Sequence, residues 1–307
     1  MVETLCMVNT QKVKGGNIMI LINGKEFNSS EFHNGEVIFK KTPIINQDNN
    51  IIEMKFQDNR DITALLFARQ WLTDVALGAT CDLVMQYCPY ERMDREINDQ
   101  LFSMKYFADI LSKFDFNRVY ILDPHSEVCI NQLGDAGIKV MQNSLVHYIK
   151  EVVEDFKPDY ICYPDKGAYN KYPKILSDVK LESFYGSKKR DLENNGKIVE
   201  YELVNAPDLK DKKVLIIDDI CCLGGTAYNA AKEMKKLGAK EVAFYISHCE
   251  NGIYAGNVLK LEPYELDFSE GNTLRTANLK SHYMIDKVYT ANTMNIDIKH
   301  ENIKVVN

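Results

Sequence analysis

The sequence predicts an α/β protein of two similar lobes, each a mainly parallel sheet flanked by helices. Short β-rich apolar runs alternate with longer segments of helical period, which is the pattern of βαβ units. The alternation occurs twice, on either side of about residue 136, and 307 residues are enough for two cores. Gly134-Asp135-Ala136-Gly137 reads as the connection. The expected lobes are therefore residues 1–136, rejoined by 294–307, and residues 137–293.

Each element follows from its residues. Leu83–Tyr87, Val119–Leu122, Tyr160–Tyr163, Val214–Ile217 and Val242–Ile246 are short and rich in β-branched and aromatic residues, as strands are. Helical spacing predicts helices over 61–78, with Leu65, Leu66, Ala68, Arg69 and Leu72 on one face, and over 103–113, 141–155 and 226–237. The last of these meets Gly238, a natural helix stop. Residues 260–280, with Pro263 and Gly271, read as an irregular excursion.

Composition narrows the function classes. A chain 45% hydrophobic and 26% charged is too apolar for disorder. A net charge of -7 argues against nucleic-acid binding, which needs a basic footprint. No apolar stretch approaches the ~20 residues needed to span a bilayer, and no basic-then-apolar leader opens the chain. The eight cysteines show no Cys-x-x-Cys spacing, which argues against zinc. Several lie inside apolar runs, as Cys162 does, and suit a reducing compartment. A cytoplasmic protein with no membrane and no nucleic-acid partner is expected.

The strongest local signal is Val214-Leu215-Ile216-Ile217-Asp218-Asp219-Ile220-Cys221-Cys222-Leu223-Gly224-Gly225-Thr226. An apolar strand delivers two carboxylates at its end, and a glycine turn then opens a helix whose N–H groups face outward. Carboxylates accept from ribose hydroxyls, and a helix N-terminus holds phosphate. A plain strand-turn-helix with a capping aspartate is the blander reading of the same residues. Five further segments follow the same order along the chain: Phe32-His33-Asn34-Gly35-Glu36; Tyr87-Cys88-Pro89-Tyr90-Glu91-Arg92-Met93-Asp94-Arg95; Leu122-Asp123-Pro124-His125-Ser126; Tyr163-Pro164-Asp165-Lys166-Gly167-Ala168; and Gly186-Ser187-Lys188-Lys189-Arg190. Taken singly, they read as a surface turn, a charged loop, a structural histidine, a strand-ending turn and a solvated basic loop.

Together these segments resemble those of the ribose-phosphate pyrophosphokinases, which share the type I phosphoribosyltransferase fold. The likeness runs from about residue 32 to 293. By this resemblance each lobe is phosphoribosyltransferase-like, and Phe32 stacks on adenine while Asn34 and Glu36 hydrogen-bond to it. Arg92, Asp94 and His125 belong to the ATP site. His125 and Asp165 hold magnesium, and Asp165, Lys166 and Gly167 form the diphosphate loop. Lys188 and Arg190 stabilise charge in transfer. Asp218, Asp219, Cys222, Leu223, Gly224, Gly225 and Thr226 bind the sugar phosphate. Ser247-His248, Asn251–Gly256 and Thr290–Thr293 match further family segments that shape the pocket.

The implied reaction moves the β,γ-diphosphate of ATP to the anomeric hydroxyl of ribose 5-phosphate, with Mg2+ as cofactor and a homo-oligomer, dimer or hexamer, as the assembly. Met93 stands where the family has glutamine, and Lys166 where it has alanine. Cys222 and Leu223 replace a carboxylate and a hydroxyl of the family loop. That last departure keeps open a 5-substituted acceptor such as ADP-ribose. The same loop would also serve a phosphoribosyltransferase, and the same fold a non-catalytic regulatory homologue.

Overall fold

The computed structural model describes residues 20–27, 29–34, 36–41, 45–97, 99–191, 197–262, 282–291, 293–294 and 299–306; for 31, 189–191 and 197–199 it describes the backbone alone. The chain divides into two compact units, Met1–Asn143 and Ser144–Asn307.

The first unit contains β1 (Ile20–Ile22), β2 (Lys25–Glu26), β3 (Ser29–Glu31), β4 (Val37–Phe39), β5 (Asn49–Met54), α1 (Asn59–Val75), β6 (Thr80–Val84), α2 (Ser103–Leu111), β7 (Arg118–Leu122), α3 (Glu127–Asp135) and β8 (Val140–Asn143). Its sheet runs β2-β1-β5-β6-β7-β8, with β5 to β8 parallel and β1 antiparallel to its neighbours. A capping box starts α1: the Asp58 carboxylate accepts from the Arg60 N–H, while Asp61 accepts from the backbone of Asp58. The helix buries Ala64, Leu65, Ala68 and Leu72 against Ile52, Leu83 and Val119 of the sheet. The β3–β4 hairpin lies apart from this sheet, and Phe39 anchors it by stacking on Phe27 at 5.0 Å between ring centres.

The second unit contains α4 (Val146–Phe156), β9 (Tyr160–Tyr163), α5 (Lys166–Ile175), β10 (Ser183–Asp191), β11 (Lys197–Val204), β12 (Lys213–Cys221), α6 (Gly225–Lys236), β13 (Glu241–Cys249), β14 (Leu261–Glu262), β15 (His282–Tyr283), β16 (Lys287–Thr290) and β17 (Ile303–Val305). Its sheet runs β11-β10-β9-β12-β13-β16-β17, parallel throughout except for the antiparallel β10–β11 pair. Val214–Ile217 are all fully buried because helices cover both faces of this central strand, so it reads as an unbroken apolar run. Gly238 has φ +85 just past α6, the left-handed stop that its residue type allows.

Two expectations about the boundary are corrected. Gly134–Gly137 closes α3 inside the first unit, with Gly137 at φ +84, and the chain then adds β8 to the same sheet. The division therefore falls after Asn143, and the helix expected over 141–155 begins at Val146. Among the described residues the chain end belongs to the second unit, where the sequence predicts the first: β17 pairs in parallel with β16 and completes the second sheet. Residues 263–281, most of the expected excursion, lie outside the described residues, and their flanks β14 and β15 pair antiparallel. Among the described residues no helix is long and apolar enough to cross a membrane.

Candidate active site

In the second unit, β9 and β12 are parallel neighbours, so both deliver their following residues to the same end of the sheet. Asp165 follows β9 and caps α5, taking the Ala168 N–H at 3.0 Å. Its other carboxylate oxygen lies 2.5 Å from Lys188 Nζ, which β10 brings in. Asp218 and Asp219 lie in the second half of β12, before Ile220 and Cys221 end it: Asp218 is half-buried and Asp219 buried, with Lys171 Nζ of α5 at 3.6 Å from Asp219. Three carboxylates and two ammonium groups thus share one sheet end.

Electrostatics couple them. Burial opposes ionisation of Asp165, but hydrogen bonds from Lys188 and the Ala168 N–H outweigh it and hold its carboxyl below the usual range. Burial pushes Asp218 well up, and the charges of Asp219 and Asp165 add to this. The strand end therefore prefers a proton or a hydrogen-bond donor beside Asp218.

The loop after β12 is built by close backbone approach. Gly224 caps α6 at φ +73, and a Cβ there would meet the Val258 side chain. Residues 251–256 also press on the loop: a Cβ on Gly252 would stand 2.8 Å from the Cys222 carbonyl oxygen, and one on Gly256 would meet that of Leu223. The side chains of Cys222 and Leu223 are left exposed, while Thr226 is half-buried in the first turn of α6. Ser247-His248 and Thr293 also converge, with His248 Nδ1 2.7 Å from the Thr293 hydroxyl, which donates to the Ser247 carbonyl at 2.9 Å.

Two sequence expectations take a different form here. Lys166 and Gly167 are the first residues of α5, exposed, and the N-terminal amide of Ala168 is engaged by the unit's own Asp165. The segment around Lys188, which taken singly reads as a solvated basic loop, is strand β10, paired with β11. The Arg190 side chain lies outside the described residues.

In the first unit, the loops after β6 and β7 meet at their own sheet end. Ser126 donates to Asp94 at 2.8 Å, Arg95 pairs with the same carboxylate at 2.8 Å, and the His125 N–H reaches Glu91 at 3.3 Å. Asp94 is buried, and although burial opposes its ionisation, Arg95 and Ser126 hold it below the usual range. It faces inward and ties the two loops together, whereas Arg92 is exposed and His125 half-buried. In the hairpin, the Asn34 amide donates to Glu36 at 2.9 Å, and Phe32 is exposed. His125 and Asp165 belong to different units. Among the described residues no group of three or more His, Cys, Asp or Glu is arranged to hold a metal ion.

Against this geometry, a model of the phosphoribosyl transferase domain matches residues 140–268. A ribose-phosphate pyrophosphokinase of Saccharolobus solfataricus is 30% identical over 224 residues, covering 71% of this chain and 70% of that one. A ribose-phosphate pyrophosphokinase of Methanobrevibacter smithii is 30% identical over 256 residues, covering 78% of this chain and 76% of its own. This chain belongs to the ribose-phosphate pyrophosphokinase family. Like its relatives it is a transferase. A solved phosphoribosylpyrophosphate synthetase of Mycobacterium smegmatis superposes with a TM-score of 0.67 at 18% identity, over 91% of this chain and 85% of that one, and so shares the fold. The two phosphoribosyltransferase-like lobes are thereby shown.

Two residues of this candidate site escaped the sequence reading. Lys171 sits inside a helix, and nothing in its local pattern points to Asp219, 48 positions away by subtraction. Tyr201 stands between two glutamates in β11, and its hydroxyl donates to the Pro164 carbonyl at 2.9 Å. Only the isolated Gly186 before a charge run hints that another group approaches the backbone there.

Proposed function

We propose that this enzyme moves the β,γ-diphosphate of ATP to the anomeric hydroxyl of ribose 5-phosphate, giving phosphoribosyl diphosphate and AMP. The observation that carries the reading is the Lys188–Asp165 ion pair at the sheet end that also bears Asp218 and Asp219. A sugar-holding carboxylate pair and a cation for the transferring phosphoryl group are what such a transfer needs close together. Asp218 and Asp219 accept hydrogen bonds from ribose hydroxyls. The 5-phosphate is held at the 222–226 loop and the N-terminus of α6. The anomeric hydroxyl gives up its proton to solvent as its oxygen attacks the β-phosphorus in line, the bond from that phosphorus to the AMP oxygen breaks, and Lys188 and Arg190 offset the charge that builds.

On the nucleotide side the proposal assigns Phe32, Asn34 and Glu36 to the base and Arg92 and His125 to the phosphates, with Asp94 holding their loops. The hard oxygens of Asp165 fit magnesium, which takes one or two carboxylates together with phosphate oxygens and water. Asp165 would hold the ion, and when bound it supplies neutralising charge to the phosphates. The same proposal includes a cytoplasmic homo-oligomer, dimer or hexamer, which light scattering would size.

A second reading has its own observation. Leu223 is 53% exposed in the loop proposed for the phosphate, beside the exposed Cys222. An apolar side chain there suits a phosphodiester better than a terminal phosphate, as in ADP-ribose or another 5-substituted ribose phosphate. Incubating the chain with ATP and each acceptor, with mass spectrometry of the products, separates the readings. A diphosphorylated ribose 5-phosphate with equimolar AMP supports the first, and product from ADP-ribose alone transfers the assignment to the second. AMP formation with neither would remove both.

A further inference from the structure

The ribbon that carries Lys188 leaves its sheet. Strand β10 pairs with β9 only through Ser183, Phe184 and Tyr185; from Gly186 onward its ladder partner is β11 alone. A two-stranded ribbon has little stability of its own, so something must hold the Lys188 ammonium 2.5 Å from Asp165.

Directly opposite Lys188 in the ladder is Tyr201. Paired residues of an antiparallel ribbon project on the same face, so the phenol and the lysine stem lie side by side. The Tyr201 hydroxyl donates to the carbonyl of Pro164 at 2.9 Å, and Pro164 is the residue before Asp165. Its ring packs against the second unit's core. Gly186 leaves room for this bond: a Cβ there would fall on the Tyr201 hydroxyl and stand 2.9 Å from the Pro164 oxygen. Burial pushes the Tyr201 hydroxyl far up, so it stays a donor.

We infer that Tyr201 is a positioning residue for Lys188, pinning the ribbon to Pro164 through a bond that only a glycine at 186 permits. The pin itself stands on geometry; its consequence for transfer rests on the function proposed above. Beyond the β9–β10 ladder, the backbone that presents Asp165 and the ribbon that presents Lys188 are joined by this Tyr201–Pro164 hydrogen bond, which touches no reacting atom.

The test uses the full chain and two variants that reach the pin from opposite sides. Tyr201→Phe removes the hydroxyl with no change of shape, and Gly186→Ala displaces it. Hydrogen exchange by mass spectrometry should show amides of 186–191 and 197–201 exchanging about tenfold faster in both, with β12 and β13 unchanged, as expected for loss of one partly buried hydrogen bond. In transfer assays kcat should fall about tenfold with KM for both substrates within about twofold, and adding Tyr201→Phe to Lys188→Ala should cost nothing more. Unchanged ribbon exchange in both variants, faster exchange across the whole second sheet, or losses that multiply with Lys188→Ala would each overturn the inference. If the unaltered chain forms no product from ATP with any ribose phosphate, the proposed function fails, and the exchange measurement still decides the pin.

Discussion

The loop after β12 and the tip of the β3–β4 hairpin are both proposed to bind substrate, yet they are held in opposite ways. Gly224 is pressed by Val258, and Gly252 and Gly256 set their backbone against Cys222 and Leu223. In the hairpin, Asn34 and Glu36 bond to each other and Phe32 faces solvent. Close packing transmits any change of volume, whereas an exposed turn absorbs it. Substitutions in the first region should therefore disturb several functions at once, and those in the second a single contact.

The largest effect expected is at the ion pair. Lys188→Ala should lower kcat by about 10³-fold, on the scale of a cation removed from a phosphoryl transition state, with ATP binding kept; rates of AMP release and nucleotide titration measure the two. Full activity would detach the acid–cation cluster from the chemistry.

Next comes the acidic pair, where function and stability should part. Burial and its acidic neighbours raise Asp218, so above about pH 4, the ordinary carboxyl value, the folded chain holds a proton that the unfolded chain releases. Stability then falls as pH rises from there through the folded pKa. Asp218→Asn removes this penalty and should raise Tm at pH 7 while lowering activity about 10²-fold, a trade seen at sites that store unfavourable charge. A variant less stable at pH 7 than the parent would contradict this.

Smaller effects sharpen the contrast between loop and hairpin. Gly256→Ala forces the segment that follows the 251–254 turn off Leu223, and should raise KM for the sugar phosphate about tenfold and lower Tm as well. Phe32→Ala should raise KM for ATP by about tenfold through lost stacking, as aromatic contacts with bases are valued, and leave Tm unmoved. Equal Tm changes in the two variants would erase the distinction.

The smallest effect lies away from the site. Asp155 accepts from Lys287, Tyr289 and Lys304, and these hydrogen bonds depress its carboxyl far below the usual range. Its contribution is present above about pH 4 and is lost as pH falls toward the folded value. Asp155→Asn should cost about 1 kcal/mol at pH 7 in urea unfolding, since surface ion pairs are worth little. The difference should narrow below pH ~3.

Legibility followed the range of the interactions. Strands β9, β12 and β13 were readable because central parallel strands are apolar on both faces, and α1 and α6 because their faces and ends are marked locally. The run Leu83–Tyr87 was placed three residues late: Met85 and Tyr87 are buried beyond the end of β6 at Val84, so burial there does not signal strand. The β10–β11 ribbon was missed because charged residues interrupt it, Lys188-Lys189-Arg190 in one strand and Glu200 and Glu202 in the other, and its ladder forms only against a partner strand. Site motifs were readable where a strand end and a glycine turn adjoin, as at Asp218–Thr226.

From residue order alone came the two-lobe α/β class, the strand-loop-helix at Asp218–Thr226 and the identities of most candidate residues. These depend on periodicity and turn chemistry, which act over a few positions. Folding in space supplied the Lys188–Asp165 and Lys171–Asp219 pairs, the Tyr201–Pro164 bond and the glycine contacts behind the 222–226 loop. Each joins groups from separate strands and helices, and electrostatic and packing energies depend on through-space distance, which sequence spacing does not encode.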